Sequence, residues 1–260
     1  MSEFHNIFDA HAHYDDEKFS EDRAEVIASL EESGVCSVVN ASVDIKTANT
    51  VLQYTKMFPI IYGAVGIHPE NIENLEENYL DTLAKLYKEN EKIVAIGEIG
   101  LDYYWDIPKE PQQKIFAEQL QLVNDLDAPV VIHDREAHGD TLEFLKKYRP
   151  KNALLHCYSG SAEFLKEILR LDCMISLGGT VTFKNARHSV EVAQVVPLDK
   201  LLLETDAPYL SPVPFRGKRN QSDYIIYTAK KIAEVRGMSA QEILDITAQN
   251  AKRFYRIQSS

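Results

Sequence analysis

The feature that most constrains the fold is a regular alternation of short apolar runs with longer segments of helical periodicity. Runs of strand length recur eight times, at 6–12, 36–41, 60–67, 93–99, 129–133, 152–157, 173–178 and 200–205. Helical spacing of apolar residues recurs near 21–33, 44–57, 76–90, 109–126, 138–148, 161–170, 187–195, 221–236 and 239–254. Several runs, such as KIVAIGEIG and KLLLETD, are rich in Val, Ile and Leu with little alternation, which is typical of parallel strands buried on both faces.

Eight such β–α units in 260 residues favour a closed (β/α)8 barrel of the TIM type. An open doubly wound sheet is the alternative, but no glycine-rich phosphate loop follows the first run. No linker, low-complexity tract or break in composition interrupts the pattern. We therefore predict one α/β domain over residues 1–260, in which PYLSPVPFRGKRNQ (208–221) is the one long irregular segment.

Composition narrows the class of protein. An apolar fraction of 45% and a charged fraction of 26% are those of a soluble globular protein. The formal net charge of −12 disfavours broad coating of nucleic acid or anionic membrane, although a local anion site is compatible with it. Cys36, Cys157 and Cys173 form no CxxC pair, so we expect no disulfide framework and a reducing, cytoplasmic location. Cys157 is expected to turn away from the barrel axis as a core thiol.

Neither a signal peptide nor a membrane span is expected. The segment MSEFHNIFDAHAHYDD has no basic stretch followed by an apolar run. No apolar stretch in the chain has the length needed to cross a bilayer. We also infer no obligate protein partner from the sequence.

Histidines and carboxylates gather at the carboxyl ends of the predicted strands. In FDAHAHYDD, His11 and His13 point to the same side, because side chains alternate along a strand. In an α/β barrel the carboxyl ends of all strands meet on one face, where active sites are built. The polar residues at or near the ends of the other runs are His68, Glu98, His133, His156, Glu204 and Asp206.

These ligand types predict a metal centre. Four imidazoles and two carboxylates are too many for one tetrahedral ion. We therefore predict two divalent ions per subunit, bridged by Glu98, which is central in strand order. The predicted ligands are His11, His13, Glu98, His133, His156 and Asp206. Phosphoryl chemistry favours Mg²⁺ or Mn²⁺ and imidazole ligation favours Zn²⁺, and the net positive charge of the centre would favour a phosphate or a developing oxyanion.

The sequence resembles the TatD family of metal-dependent hydrolases, in the amidohydrolase-like barrel group. The resemblance spans nearly the whole chain and rests on DAHAHYDD, AVGIHPE, AIGEIGLDYYW, APVVIHDREAHGDTLEFL, LHCYSGS, LLLETDAPYLSPVPFRGKRN and TAQNAKRFY. It implies the same six metal ligands, magnesium-type dependence in many members and deoxyribonuclease activity in several. Many relatives in the wider group use a carbamylated lysine where this chain has Glu98. Tyr158 and NQSDY (220–224) depart from the family pattern without touching a predicted ligand.

Further residues have predicted roles around the ligands. Asp206 is predicted to ligate one ion and to take the proton of the attacking water, and a ligand-only role is the alternative. Glu98 is the second catalytic candidate. Glu204 and Asp9, each two residues before a predicted ligand, are predicted to orient ligands from behind.

Five residues are predicted to bind substrate phosphate. His68 and Arg135 end or follow strands on the metal-bearing face, and Arg216, Lys218 and Arg219 form the densest basic cluster in an acidic chain. The alternatives are a structural histidine and a solvated loop. The aromatics of LDYYWD, Tyr103, Tyr104 and Trp105, either stack on a base or close the barrel rim.

The leading functional hypothesis is hydrolysis of DNA phosphodiester bonds, in single strands or from an end. The alternative is the same centre acting on an ester or amide, as in a D-aminoacyl-tRNA deacylase or a small-molecule amidohydrolase. A third hypothesis is a non-catalytic barrel with a structural metal, which would lose its fold with the metal. A barrel of this size has its own core and does not need one.

Overall fold

A computed structural model describes residues 3–258 as one barrel of alternating strands and helices. The eight strands form a single sheet in chain order, and each described pair of neighbours is parallel. The strands are β1 (Ile7–Ala12), β2 (Val35–Ala41), β3 (Ile61–Val65), β4 (Ile93–Asp102), β5 (Val130–Arg135), β6 (Ala153–Leu155), β7 (Met174–Leu177) and β8 (Leu201–Leu203).

Helices cover the outside of the sheet. They are α1 (Arg23–Leu30), α2 (Ile45–Met57), α3 (Tyr79–Glu89), α4 (Lys109–Leu126), α5 (His138–Tyr148), α6 (Ala162–Arg170), α7 (Arg187–Val195), α8 (Ile225–Arg236) and α9 (Ala240–Phe254). Local signals fix several starts, as in α9, where Ser239 and Glu242 form a reciprocal capping box. Across residues 3–258, no helix combines the length and the apolar character needed to cross a membrane.

The sheet closes where β8 meets β1. Ala12 bridges Ala207, the His13 amide donates to the Ala207 carbonyl at 2.7 Å, and the Asp206 amide donates to the His11 carbonyl at 3.0 Å. These bonds satisfy backbone groups that an open sheet would leave at its edges. The predicted (β/α)8 barrel is confirmed. The prediction of one domain over residues 1–260 stays a prediction, because residues 1–2 and 259–260 lie outside the described part.

Two apolar layers hold the barrel together. The larger packs one face of the strands against the helices, and the smaller contains Phe8, Val131 and Leu154 from the other face. Tyr255, which follows α9, stacks on Phe8 with the ring centroids 6.2 Å apart. Its hydroxyl donates a hydrogen bond to the Ala10 carbonyl at 2.7 Å. The C-terminal segment thus packs against Phe8 and Ala10 of β1, whereas His11 and His13 lie at or just after the carboxyl end of this strand.

Several strand ends differ from the prediction, and the differences affect the site. β4 continues to Asp102, whereas β6 stops at Leu155 and β8 stops at Leu203. The backbone turns left-handed soon after the two short strands, with φ of 44° at Cys157 and 56° at Asp206. Strict alternation therefore does not decide where side chains point beyond Leu155 and Leu203.

Candidate metal centre

Glu98 of β4 lies at the centre of a ring of imidazoles. Its carboxylate is buried and lies within 3.5 Å of a ring nitrogen of each of five histidines: His11, His13, His68, His133 and His156. The shortest of these distances are 2.7 Å to His156 Nε2 and 2.8 Å to His133 Nδ1, both from Oε1. A buried carboxylate is costly without cations or donors, and this ring supplies them.

Gly100, two residues after Glu98, allows β4 to approach β5 closely. Gly100 has a φ of +151°, and a Cβ at this position would lie 2.0 Å from the His133 carbonyl oxygen. Only glycine tolerates that approach and that conformation together. The glycine thus lets β4 and β5 pack closely enough for His133 to contact Glu98.

His11, His13 and Asp206 form the second part of the centre. The Nε2 atoms of His11 and His13 lie 3.0 Å apart, and Asp206 Oδ1 lies 3.7 Å and 3.5 Å from them. The other ring nitrogen of His13 lies 3.0 Å from the Ala41 carbonyl, which can only accept a hydrogen bond. In the neutral ring, Nδ1 therefore carries the proton and Nε2 presents its lone pair to the centre.

Asp102 is a functional candidate that the sequence reasoning missed. Its Oδ2 lies 2.8 Å from His133 Nε2, so the neutral ring donates from Nε2 and presents its Nδ1 lone pair towards Glu98. The signal was available, because Asp102 lies four residues after Glu98 in the run AIGEIGLD. The predicted end of β4 at residue 99 left Asp102 outside the strand.

Glu204, which is predicted to orient a ligand, lies next to His156. Its Oε1 lies 3.5 Å from His156 Nδ1, and its other oxygen accepts a hydrogen bond from the Ser176 hydroxyl. The negative charge of Glu204 favours a proton on His156 Nδ1, although the two atoms form no hydrogen bond at this distance. The carboxylate is fully buried, so its orientation is set by the surrounding structure.

Asp9 does not orient an imidazole, and the sequence interpretation needs correction here. Its carboxylate accepts hydrogen bonds from the Thr205 amide at 2.9 Å, the Thr205 hydroxyl at 2.5 Å and the Ser222 hydroxyl at 2.7 Å. Its contact with His11 is to the backbone amide, at 3.3 Å. Burial raises the pKa of Asp9 to about 7, against the opposing effect of these hydrogen bonds. Asp9 therefore connects backbones at the β1–β8 junction.

We expect Asp9→Ala to lower the free energy of unfolding by about 3 kcal/mol, because the substitution leaves buried donors of Thr205 and Ser222 without an acceptor. Urea unfolding followed by circular dichroism measures the change. The exposed Glu143→Ala is the control, with an expected effect within about 0.5 kcal/mol. A loss below about 1 kcal/mol for Asp9→Ala would contradict this connecting role.

Charged groups in the centre shift one another's pKa values. Burial raises the pKa of Glu98, but the neighbouring imidazoles, His156 first, lower it, and the net pKa is well below the ordinary value. Burial lowers the pKa of His156, whereas Glu98 and Glu204 raise it to well above the ordinary value. A centre that attracts protons to imidazole nitrogens also attracts divalent cations, since the two compete for the same lone pairs.

The donor atoms fit a divalent cation. Three overlapping groups each bring their ligand atoms within 4.8 Å of one another: His11–Glu98–His156, His11–His13–Asp206 and His68–Glu98–His133. Imidazole nitrogen combined with carboxylate oxygen suits Zn²⁺ and Mn²⁺. The buried Nδ1 of His11 has no hydrogen-bond partner among the described residues, so at least one ring still has an unused polar atom.

The centre opens into a cavity of about 790 Å³ at the carboxyl end of the strands. Residues around the cavity include His13, His68, Trp105, Arg135, Cys157 and Tyr209. The prediction that Cys157 turns away into the core is wrong. β6 ends at Leu155, and the left-handed backbone at Cys157 directs this residue to the cavity. Burial, followed by the charge of Glu204, raises the pKa of its thiol well above the ordinary value.

His68 lies inside the centre, and its hydrogen bonds distinguish it from the other histidines. Its Nδ1 accepts the Glu70 amide proton at 3.2 Å, so the neutral ring carries its proton on Nε2. That Nε2 lies 3.5 Å from Glu98. Burial lowers the pKa of His68, which favours the neutral ring. His68 is therefore arranged as a hydrogen-bond donor towards the centre, whereas His13 and His133 are arranged as lone-pair donors.

The basic cluster of the 208–221 segment, which is predicted to bind substrate phosphate, does not line the metal cavity within the described residues. Within residues 3–258, the cavity lining does not include Arg216, Lys218 or Arg219. Arg219 forms two hydrogen bonds of 2.7 and 2.6 Å with Asp22, and the Arg216 guanidinium lies 3.6 Å from the centre of the Phe183 ring. Lys218 and Arg219 line a separate hollow of about 640 Å³.

Arg135 lies exposed at the end of β5 and lines the metal cavity. Its guanidinium carbon lies 3.8 Å from the centre of the Tyr104 ring. A cation on an aromatic face keeps its N–H groups available at the ring edge. Arg135 is therefore positioned to contact an anion in the cavity.

Comparisons with known proteins identify the family of the chain. The family described as TatD related DNase matches residues 8–256. The Bacillus subtilis protein YabD, described as an uncharacterized metal-dependent hydrolase, is 40% identical over 254 residues, covering 96% of this chain and 99% of YabD. The Mycobacterium tuberculosis protein TatD, described in the same words, is 34% identical over 260 residues, covering 96% of this chain and 97% of TatD.

A solved structure has a similar fold. The crystal structure of the Escherichia coli TatD homologue YjjV superposes with a TM-score of 0.91 at 30% identity, covering 97% of this chain and 99% of YjjV. The similarity in sequence and the similarity in fold thus both extend over nearly the full chain. The chain belongs to the TatD family of metal-dependent hydrolases.

Proposed function

We propose that the chain is a divalent-metal-dependent deoxyribonuclease that hydrolyses DNA phosphodiester bonds in single strands or from an end. The observation that carries this proposal is two sets of ligand atoms around Glu98 at one open cavity: His133 and His156 lie against one carboxylate oxygen, and His11 and His13, beside Asp206, lie against the other. Paired metal sites bind the attacking and leaving oxygens of a phosphoryl transfer. The family's description as TatD related DNase supports the choice of DNA.

We assign two divalent ions, Mg²⁺ or Mn²⁺ in function with Zn²⁺ as an alternative, to six ligands. These are His11, His13, Glu98, His133, His156 and Asp206. Glu98 is the proposed bridge, because its two oxygens contact different histidines, Oε1 with His133 and His156, and Oε2 with His11 and His13. When bound, such ions supply stabilisation of phosphoryl charge and lower the pKa of water.

The chain's own residues would then act in three ways. Asp206, with 18% of its side chain exposed, is the proposed acceptor of the water proton, and its net pKa is lowered because hydrogen bonding and charge from His13 outweigh burial. His68 donates a hydrogen bond from Nε2 to a phosphoryl oxygen. Arg135 contacts a phosphate at the rim.

Arg216 and Lys218 would contact phosphates further from the cleaved bond. Arg219 is the weakest candidate, because its guanidinium is already paired with Asp22.

We expect Asp102→Asn to weaken metal binding by about ten- to a hundredfold, because the carboxylate that holds His133 in its ligating tautomer is lost. Competition with a fluorescent chelator measures the affinity. The exposed Asp81→Asn is the matched control and should bind metal like the wild type. Unchanged affinity in Asp102→Asn would exclude the orienting role of Asp102.

The function is tested with end-labelled DNA and metal-stripped protein to which Mg²⁺, Mn²⁺ or Zn²⁺ is restored in turn. Four substrates separate the possibilities: linear single-stranded, circular single-stranded, blunt duplex and nicked duplex DNA. Cleavage of linear single strands with at least one ion is the expected result, and circular DNA distinguishes attack at ends from internal attack. Intact DNA with every ion, in protein that binds metal, would reject the nuclease and lead to D-aminoacyl-tRNA and small amides as substrates.

We infer that the reaction takes place in the cytoplasm. Cys36, Cys157 and Cys173 are all free thiols, which suits a reducing compartment. Fractionation of cells that carry a tagged chain tests the location, and recovery in an oxidising compartment would reject it.

A further inference from the structure

Two exposed aromatic residues follow β4 at the mouth of the metal cavity. Tyr104 is 51% exposed and Trp105 is 48% exposed, although both are large rings. Trp105 lines the cavity that contains Glu98 and His133. The two rings meet edge to face, with centroids 4.9 Å apart and an angle of 84°. We call Tyr104 and Trp105 the aromatic shelf.

Other aromatics near the mouth already have partners for their polar atoms or faces. The Tyr103 hydroxyl donates to Asp140 at 2.6 Å, and Lys109 lies 4.1 Å from the centre of its ring. On the β8 side of the mouth, the Tyr209 hydroxyl donates to Asp16 at 2.6 Å. A lysine also covers its ring, with Nζ 4.2 Å from the ring centre. Tyr103 thus closes the rim, and the half-exposed indole of Trp105 remains the ring best placed to receive a ligand.

The aromatic shelf is fixed relative to the metal centre. The Tyr104 amide donates to Asp102 Oδ1 at 3.0 Å, and the other oxygen of the same carboxylate lies 2.8 Å from His133 Nε2. The Tyr103 amide donates to the Arg135 carbonyl at 2.9 Å. Arg135 in turn lies 3.8 Å from the Tyr104 ring centre and 5.7 Å from the Trp105 ring centre. One carboxylate and one arginine therefore join the shelf to the catalytic end of β5.

We propose that Trp105, supported by Tyr104, stacks on the nucleobase of the nucleotide next to the cleaved phosphate, while Arg135 contacts that nucleotide's phosphate. A nucleotide combines an aromatic ring and an anion, as the shelf combines an exposed indole and a guanidinium. This inference rests on the proposed function and deepens it. Stacking accepts every base, so the shelf selects unpaired bases without selecting sequence. Bases inside a duplex are already stacked and cannot reach it.

Fluorescence tests binding without requiring cleavage, because Trp105 is the single tryptophan of the chain. The metal-loaded protein is titrated with deoxyadenosine monophosphate and, separately, with deoxyribose phosphate, which lacks the base. Excitation at the red edge of indole absorption avoids absorption by the base. Quenching by the nucleotide and not by the sugar phosphate is the expected result. Equal responses to the two compounds, or none, would overturn the proposal.

Kinetics test the same contact in the reaction. Single-stranded oligonucleotides with a normal or an abasic nucleotide at the cleaved end are compared as substrates. In the wild type, kcat/KM should favour the base-bearing substrate by about tenfold, and Trp105→Ala should remove this preference through KM. Trp105→Phe should restore most of the preference. Met57→Ala, a substitution at another exposed apolar residue outside the cavity lining, should retain it.

The outcomes separate this inference from the proposed nuclease function. A wild type that cleaves DNA with the same preference as Trp105→Ala would overturn the shelf and leave the nuclease proposal standing. A protein that leaves all DNA intact, yet shows quenching by the nucleotide alone, would support the shelf and reject the nuclease. Trp105→Ala and Trp105→Phe both alter a half-exposed loop side chain, so each is expected to change the free energy of unfolding by no more than about 0.5 kcal/mol. Thermal unfolding checks this expectation.

Discussion

Glu98→Gln is expected to lower kcat by about a thousandfold or more and to reduce the amount of bound metal. The substitution keeps the size of the side chain and removes its charge. That charge is the shared partner of five imidazoles, among them His133 and His156 at less than 3 Å. Without this charge, the five imidazoles lose the anionic group that they share. Initial rates and metal content by mass spectrometry measure the two effects.

The control for this experiment is Glu143→Gln, at a side chain that is 71% exposed on α5. It should match the wild type in rate and metal content. Thermal unfolding of Glu98→Gln separates a lost centre from a lost fold. Full activity or full metal content in a folded Glu98→Gln protein would contradict the assignment of Glu98 as the bridge.

Removal of metal by a chelator is expected to abolish hydrolysis while the barrel stays folded. The core is formed by apolar side chains of the strands and helices, and the sheet closes through backbone hydrogen bonds. Each bound ion adds about 3 kcal/mol of stability at a hundredfold excess over Kd, so removal of two ions should lower Tm by roughly 10–20 °C and leave a cooperative transition. Circular dichroism and activity are measured on the same samples, before and after metal is restored.

Recovery of activity on addition of metal is part of this expectation. Loss of cooperative unfolding in the metal-free protein would instead support the third hypothesis from the sequence, a barrel that binds metal for structure. Activity that survives chelation, in protein shown by mass spectrometry to be metal-free, would contradict metal-dependent catalysis at this centre.

The sequence by itself determined the architecture and the place of the centre. Unbroken runs of Val, Ile and Leu predict buried parallel strands, and their number predicts the barrel. His11, Glu98 and His133 lie where the predicted and the observed strands overlap, although β4 and β5 extend further than predicted, and within this overlap alternation and the common direction of parallel strands act locally. These are properties of short segments, so they can be read without knowing what packs against them.

Only the tertiary structure decided which nitrogen each histidine presents and which loop side chains face the cavity. The tautomer of His133 depends on Asp102, and that of His13 depends on Ala41, 28 residues away in the chain. Cys157 enters the cavity because a left-handed turn follows a strand of three residues. Arg219 is held by Asp22, 197 residues away. Such outcomes depend on contacts between distant segments and on backbone dihedrals beyond strand ends, where the two-residue period no longer applies.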